Sequence, residues 1–69
     1  MKISARNQLK GVVKSINIGA VNSEVIIELP GGATIASIIT KRAIENLDLK
    51  VGSSAYAIVK ASNVIIGID

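Results

Sequence analysis

The chain has 69 residues with no Cys and no His, which leaves room for one domain and excludes disulfides and the usual structural zinc ligands. Eight Lys and Arg stand against five Asp and Glu, a net charge of +3 that draws anions and nucleic acid alike. Hydrophobic residues make up 49% but aromatic residues only 1%, Tyr56 alone, so the stacking platforms of single-strand and RNA-binding sheets are missing.

In chain order, the polar start "SARNQLKG" (residues 4–11) leads into the β-branched run Gln8–Ile18, which predicts a long first strand. Gly11 within it predicts a bulge or sharp coil. "GAVNS" (Gly19–Ser23) is a turn, Glu24–Leu29 a second strand, and Pro30–Gly32 a second turn. Ala33–Thr40 is a third strand, paired in a hairpin with the second. Ala43, Ile44 and Leu47 then fall at helical spacing, with Thr40 as N-cap of a short helix. After a turn at Gly52, Ser54–Lys60 is the fourth strand; "ASN" (Ala61–Asn63) is a tight connection, and Val64–Ile68 the fifth strand. The expected fold is therefore all-β: a single domain over residues 1–69, a five-stranded OB-like barrel with one short helix between strands three and four.

A chain of this size buries only about 60% of the surface it exposes when unfolded. With disulfides and metal unavailable, oligomerisation is the remaining remedy, and a mean hydropathy of +0.52 supplies the apolar surface for it. No apolar run approaches the roughly 20 residues that cross a bilayer, and Met1–Arg6 lacks the apolar core of a secretory signal. A cytoplasmic homo-oligomer with no membrane partner is expected.

No catalytic constellation assembles: a nucleophile would need a Lys or carboxylate base, and the five acids are scattered. The chain reads as a binder, not an enzyme. Donors suited to an anion cluster at the ends of the predicted elements: Ser4, Arg6 and Asn7 before strand one, Thr40, Lys41 and Arg42 at the helix start, Lys60 and Ser62 after strand four. Cations in a first helical turn oppose the helix dipole, a conflict a bound anion would relieve. Spacing alone is met as well by a solvated N-terminal arm, a plain N-cap at Thr40, an aggregation-blocking edge charge at Lys60 and side chains extended into water at Lys41 and Arg42.

"ISARNQLKGVV" (Ile3–Val13), "GAVNSEV" (Gly19–Val25) and "AYAIVKASNVIIG" (Ala55–Gly67) together resemble the molbindins, small cytoplasmic molybdate- and tungstate-binding proteins built from one TOBE/Mop-type domain. The resemblance spans essentially the whole chain. It implies an OB-like fold assembled as a hexamer, a trimer of dimers, that stores molybdate or tungstate and holds its level steady, with oxyanion sites between subunits. The implied interface site comprises Ser4, Arg6, Thr40, Lys60, Ala61 and Ser62; a second site near the symmetry axis comprises Gly19, Val21 and Asn22. Ala43 stands where relatives often carry Ser, which removes one hydroxyl contact. Molybdate is a tetrahedral dianion that needs donors and neutralising charge rather than metal-ligand bonds, so a chain without His, Cys or cofactor is no handicap. Two further readings remain: an OB-type nucleic-acid-binding module, against which the low aromatic content argues, and a regulatory interaction module, against which the close fit of the chain to one domain argues.

Overall fold

A computed structural model describes all 69 residues. Strands β1 (Asn7–Ile18), β2 (Asn22–Glu28), β3 (Thr34–Thr40) and β4 (Ser54–Val59) form one antiparallel sheet in the order β3-β2-β1-β4. Helix α1 (Lys41–Asn46) follows β3 directly, and a 3-10 turn (Ala61–Asn63) follows β4. The expected three strands, short helix and further strand are present in that order. Strand β2 starts at Asn22, so the turn before it is Gly19–Val21, shorter than expected.

The long β1 belongs to two ladders. Its first half pairs with β4, from Asn7 opposite Val59 to Val12 opposite Ser54. Its second half pairs with β2, from Val12 opposite Glu28 to Ile18 opposite Ser23, with a register shift between Val13 and Ser15. That irregularity curls the sheet. Gly11, where the sequence placed the bulge, serves another purpose. A Cβ there would run into the Glu28 carbonyl oxygen and stand 2.7 Å from Ile27 Cγ2, so glycine is what lets β2 cross this close.

Alternation turns Val13, Val25, Ile27 and Ala57 inward, and Ile44 of α1 covers one end of that core. Ser23 lies in the same inward row of β2 as Val25 and Ile27; it is 2% exposed and its hydroxyl has no hydrogen-bond partner. Thr40 caps α1 as the sequence predicts, its Oγ1 accepting the Ala43 N–H at 3.1 Å.

The fifth strand is the correction. Val64–Ile68 is in no strand, and the sheet has four. The 3-10 turn closes on itself, the Asn63 N–H donating to the Lys60 carbonyl at 2.8 Å, and Val64 leaves it extended, at φ −82° and ψ 123°. A strand needs an edge to pair with. This segment meets none within its own chain, and Ile65, Ile66 and Ile68 are 92%, 82% and 94% exposed.

Between β3 and β4 lies an apolar groove of about 400 Å³. Val25 and Ile27 form its floor, Ser37 and Ile39 of β3 one wall, and Ala55, Tyr56 and Ile58 of β4 the other, with Leu47 and Leu49 at one end. Strands β3 and β4 are the two edges of the sheet, so the groove is flanked by unpaired backbone on both sides.

Candidate functional site

The β1–β4 register builds the site. Because Asn7 pairs with Val59, the residues just before β1 necessarily lie beside those just after β4. Ser4 and Arg6 thereby come together with Lys60, Ala61 and Ser62 around one cleft of about 520 Å³, with Ile3 and Ala5 completing its wall. The arm is pinned there by the Gln8 side chain, whose Nε2 donates to the Ala5 carbonyl at 2.7 Å. On the opposite side the 3-10 turn uses the N–H groups of Asn63 and Val64, while those of Ala61 and Ser62 make no backbone hydrogen bond within the chain.

The chemistry of the cleft is one-sided. It holds a guanidinium, an ammonium and two hydroxyls but no carboxylate. The ion pairs of the chain lie elsewhere, Lys14 with Glu28 and Lys50 with Asp48, each at 3.7 Å, so Arg6 and Lys60 have no carboxylate partner. Such a cleft attracts an anion and offers it charge-assisted hydrogen bonds. It offers a metal cation nothing, and no group of three or more His, Cys, Asp or Glu exists anywhere in the chain. All five expected cleft residues are exposed, so in one chain the site is open on one side.

Thr40 is not in this cleft. It stands opposite Asn22 in the first pair of the β2–β3 ladder, which places it with Gly19, Val21 and Asn22 rather than with Ser4 and Arg6. With the Ala43 N–H bound to its oxygen, the Thr40 hydroxyl keeps its proton to donate elsewhere. Gly19 is required by its turn, since a Cβ there would run into the Asn22 carbonyl oxygen, and Val21 projects into water. Lys41 and Arg42 are exposed and in no ion pair. Ile3, Ala5 and the Gln8 clamp were not singled out by sequence. A long polar side chain three residues beyond a free carbonyl is their only signal, and many loops share it.

The TOBE domain family matches residues 3–66. The chain is 51% identical over its full length, and over the relative's full length, to a probable molybdenum-pterin-binding protein of Haemophilus influenzae. Its structure superposes on MopII of Clostridium pasteurianum with a TM-score of 0.92 at 45% identity, covering 97% of this chain and all of that one. It superposes on the cytoplasmic molybdate-binding protein ModG, solved with molybdate bound, with a TM-score of 0.95 at 54% identity, covering all of this chain and 49% of that one. Fold, length and sequence agree, and the chain belongs to the TOBE domain family, among its single-domain Mop-type members.

Proposed function

We propose that this protein binds molybdate as an intact tetrahedral oxyanion, at sites shared between copies of the chain. The observation that carries the reading is the cleft of Ser4, Arg6, Lys60, Ala61 and Ser62: two unpaired cations, two hydroxyls and free backbone N–H groups converging with no carboxylate among them. Arg6 offers a planar fork to two oxygens and Lys60 a point charge. Together they match the two negative charges of the ligand, which the hydroxyls and N–H groups then orient. Burying a dianion is costly unless it is paired and hydrogen-bonded, and the cleft is closed on one side only. A neighbouring copy closes the other, contributing Thr40 with its free hydroxyl proton. Gly19, Val21 and Asn22, grouped beside Thr40, form the second kind of site, near the axis of the assembly.

Assembly rests on surface area. The chain exposes 5417 Å², whereas a folded monomer of 7.1 kDa exposes about 4,100 Å². The excess of about 1,300 Å² exceeds the roughly 800 Å² each partner contributes to a standard interface. Fifteen large apolar side chains are exposed against five apolar residues buried. The Val64–Ile68 segment of one copy fills the apolar groove of another, supplying the fifth strand and closing the barrel between β3 and β4. Repeated contacts of this kind give the hexamer, a trimer of dimers.

Binding without chemistry at the ligand is a storage role. The protein takes up molybdate or tungstate in the cytoplasm and holds its free level steady. No helix is long and apolar enough to cross a membrane. Native mass spectrometry with molybdate, and with sulfate as control, tests the reading. A hexamer that takes up several molybdate ions and ignores sulfate supports it; a monomer or dimer indifferent to molybdate overturns it and returns the nucleic-acid and interaction-module readings.

A further inference from the structure

The end of the β1–β4 ladder sets two like charges against each other. Asn7 opposite Val59 is its last pair, so the next facing positions are Arg6 and Lys60. These two cations, neither with a carboxylate partner, stand on the two walls of one cleft. Like charges facing each other across a strand pair repel, and the two walls differ in how they resist. Lys60 is held on both sides, by the Val59 pairing and by the Asn63 N–H on its own carbonyl at 2.8 Å. The arm Met1–Arg6 lies outside the strands and makes no backbone hydrogen bond. Its one hydrogen bond comes from the Gln8 side chain, Nε2 donating to the Ala5 carbonyl at 2.7 Å. That bond spans Arg6, which the ladder fixes on one side at Asn7 and Gln8 fixes on the other at Ala5.

We propose that Gln8 is a positioning residue of the anion site, holding Ser4 and Arg6 at the cleft. Gln8 does not itself line the cleft. It acts through the arm, whose order before binding removes the entropy cost that a loose segment meets when it closes on a ligand. The inference rests on the anion-site reading above and adds a residue to that site. The residue type follows from the geometry. The bond reaches back three positions from a strand, which takes a long side chain, and a carbonyl needs a donor, which an ionised Glu lacks. Gln meets both needs without placing a further charge beside two cations.

Molybdate titration calorimetry on the full chain tests this, with native mass spectrometry confirming that the variants compared have the same assembly. Gln8→Met keeps the length of the side chain and removes the donor. It is expected to lower affinity about three- to ten-fold, the usual net contribution of one neutral hydrogen bond. The thermal midpoint stays in place, because the bond is exposed and outside the ladders. In protein without molybdate, the Ala5 and Arg6 amide order parameters fall below about 0.6 in the variant. The decisive comparison is a cycle with Ser4→Ala, Arg6→Ala. In that background Gln8→Met changes affinity by less than about two-fold, because the arm then carries no side chain for the clamp to position. An effect below about two-fold in the parent, an equal loss in both backgrounds or unchanged arm order overturns the clamp. A loss of affinity that follows the thermal midpoint down overturns it too, since Gln8 is then a residue of the fold. A parent chain that binds no molybdate, or binds it equally without the Ser4 and Arg6 side chains, refutes the anion-site reading, and the clamp with it.

Discussion

Arg6 and Lys2 are both exposed cations of the N-terminal arm, and only Arg6 lines the cleft. The pair separates contact from field. Each adds the same charge to the long-range attraction of an anion, an effect screened over about 8–10 Å at ordinary ionic strength, but only a side chain in the site forms charge-assisted hydrogen bonds. These contribute roughly 1.5–3 kcal/mol, so Arg6→Ala is expected to lower molybdate affinity about 10- to 100-fold by isothermal titration calorimetry, and Lys2→Ala less than about three-fold at physiological salt. Equal losses in the two variants would remove Arg6 from the site. The residues alone showed donors at element ends, Ser4, Arg6, Lys60 and Ser62 among them; their grouping, with Ala61, came from the family resemblance, and the pairing of β1 with β4 is what brings these five side by side. Thr40 was legible as a cap, but its neighbours were not: the register opposing it to Asn22 depends on tertiary pairing. Ser23 was hidden for a similar reason. It read as a turn residue, yet it begins the inward row of β2, buried and without a hydrogen-bond partner.

At the scale of elements, β1 decides where everything else lies. It carries the β4 ladder on its first half and the β2 ladder on its second, and the crossing of the two depends on Gly11. A Cβ at Gly11 meets the Glu28 backbone carbonyl, which cannot rotate away as a side chain could. Gly11→Ala is therefore expected to destabilise the protein by about 1–3 kcal/mol, the usual cost of overpacking, lowering the thermal midpoint by roughly 4–8 °C per kcal/mol. A circular-dichroism melt that moves by less than about 2 °C would show that the strands are free to part there. β-branched content and punctuation by Gly19, Pro30, Gly31 and Gly32 made the first three strands legible. The apolar run of Val64–Ile68 matched a buried strand just as well, and on composition alone it is one. Whether such a run pairs is a property of the edge it reaches, and within its own chain Val64–Ile68 pairs with neither open edge, β3 or β4.

For the whole molecule, the unpaired tail and the unfilled groove have opposite shapes and the same polarity, and in a chain with so small a core neither is stable in water. Ile66, 82% exposed, contributes almost nothing to the fold of its own chain, so Ile66→Lys should leave the circular-dichroism spectrum intact. Placed in a neighbour's groove, however, the ammonium would be carried onto the apolar surface of Val25, Ile27 and Ile39, where an unpaired charge costs several kcal/mol or more. Sedimentation equilibrium is expected to show the variant as a monomer at concentrations where the parent chain is assembled. Val51→Lys changes another exposed apolar residue, at a turn that does not line the groove, and should leave the mass unchanged. If both variants assemble normally, the tail does not hold the copies together. If Ile66→Lys dissociates the assembly and also loses molybdate while Arg6 and Lys60 remain in place, the anion site is shown to need two chains. A cluster of exposed donors in one chain then becomes a selective site only by being covered.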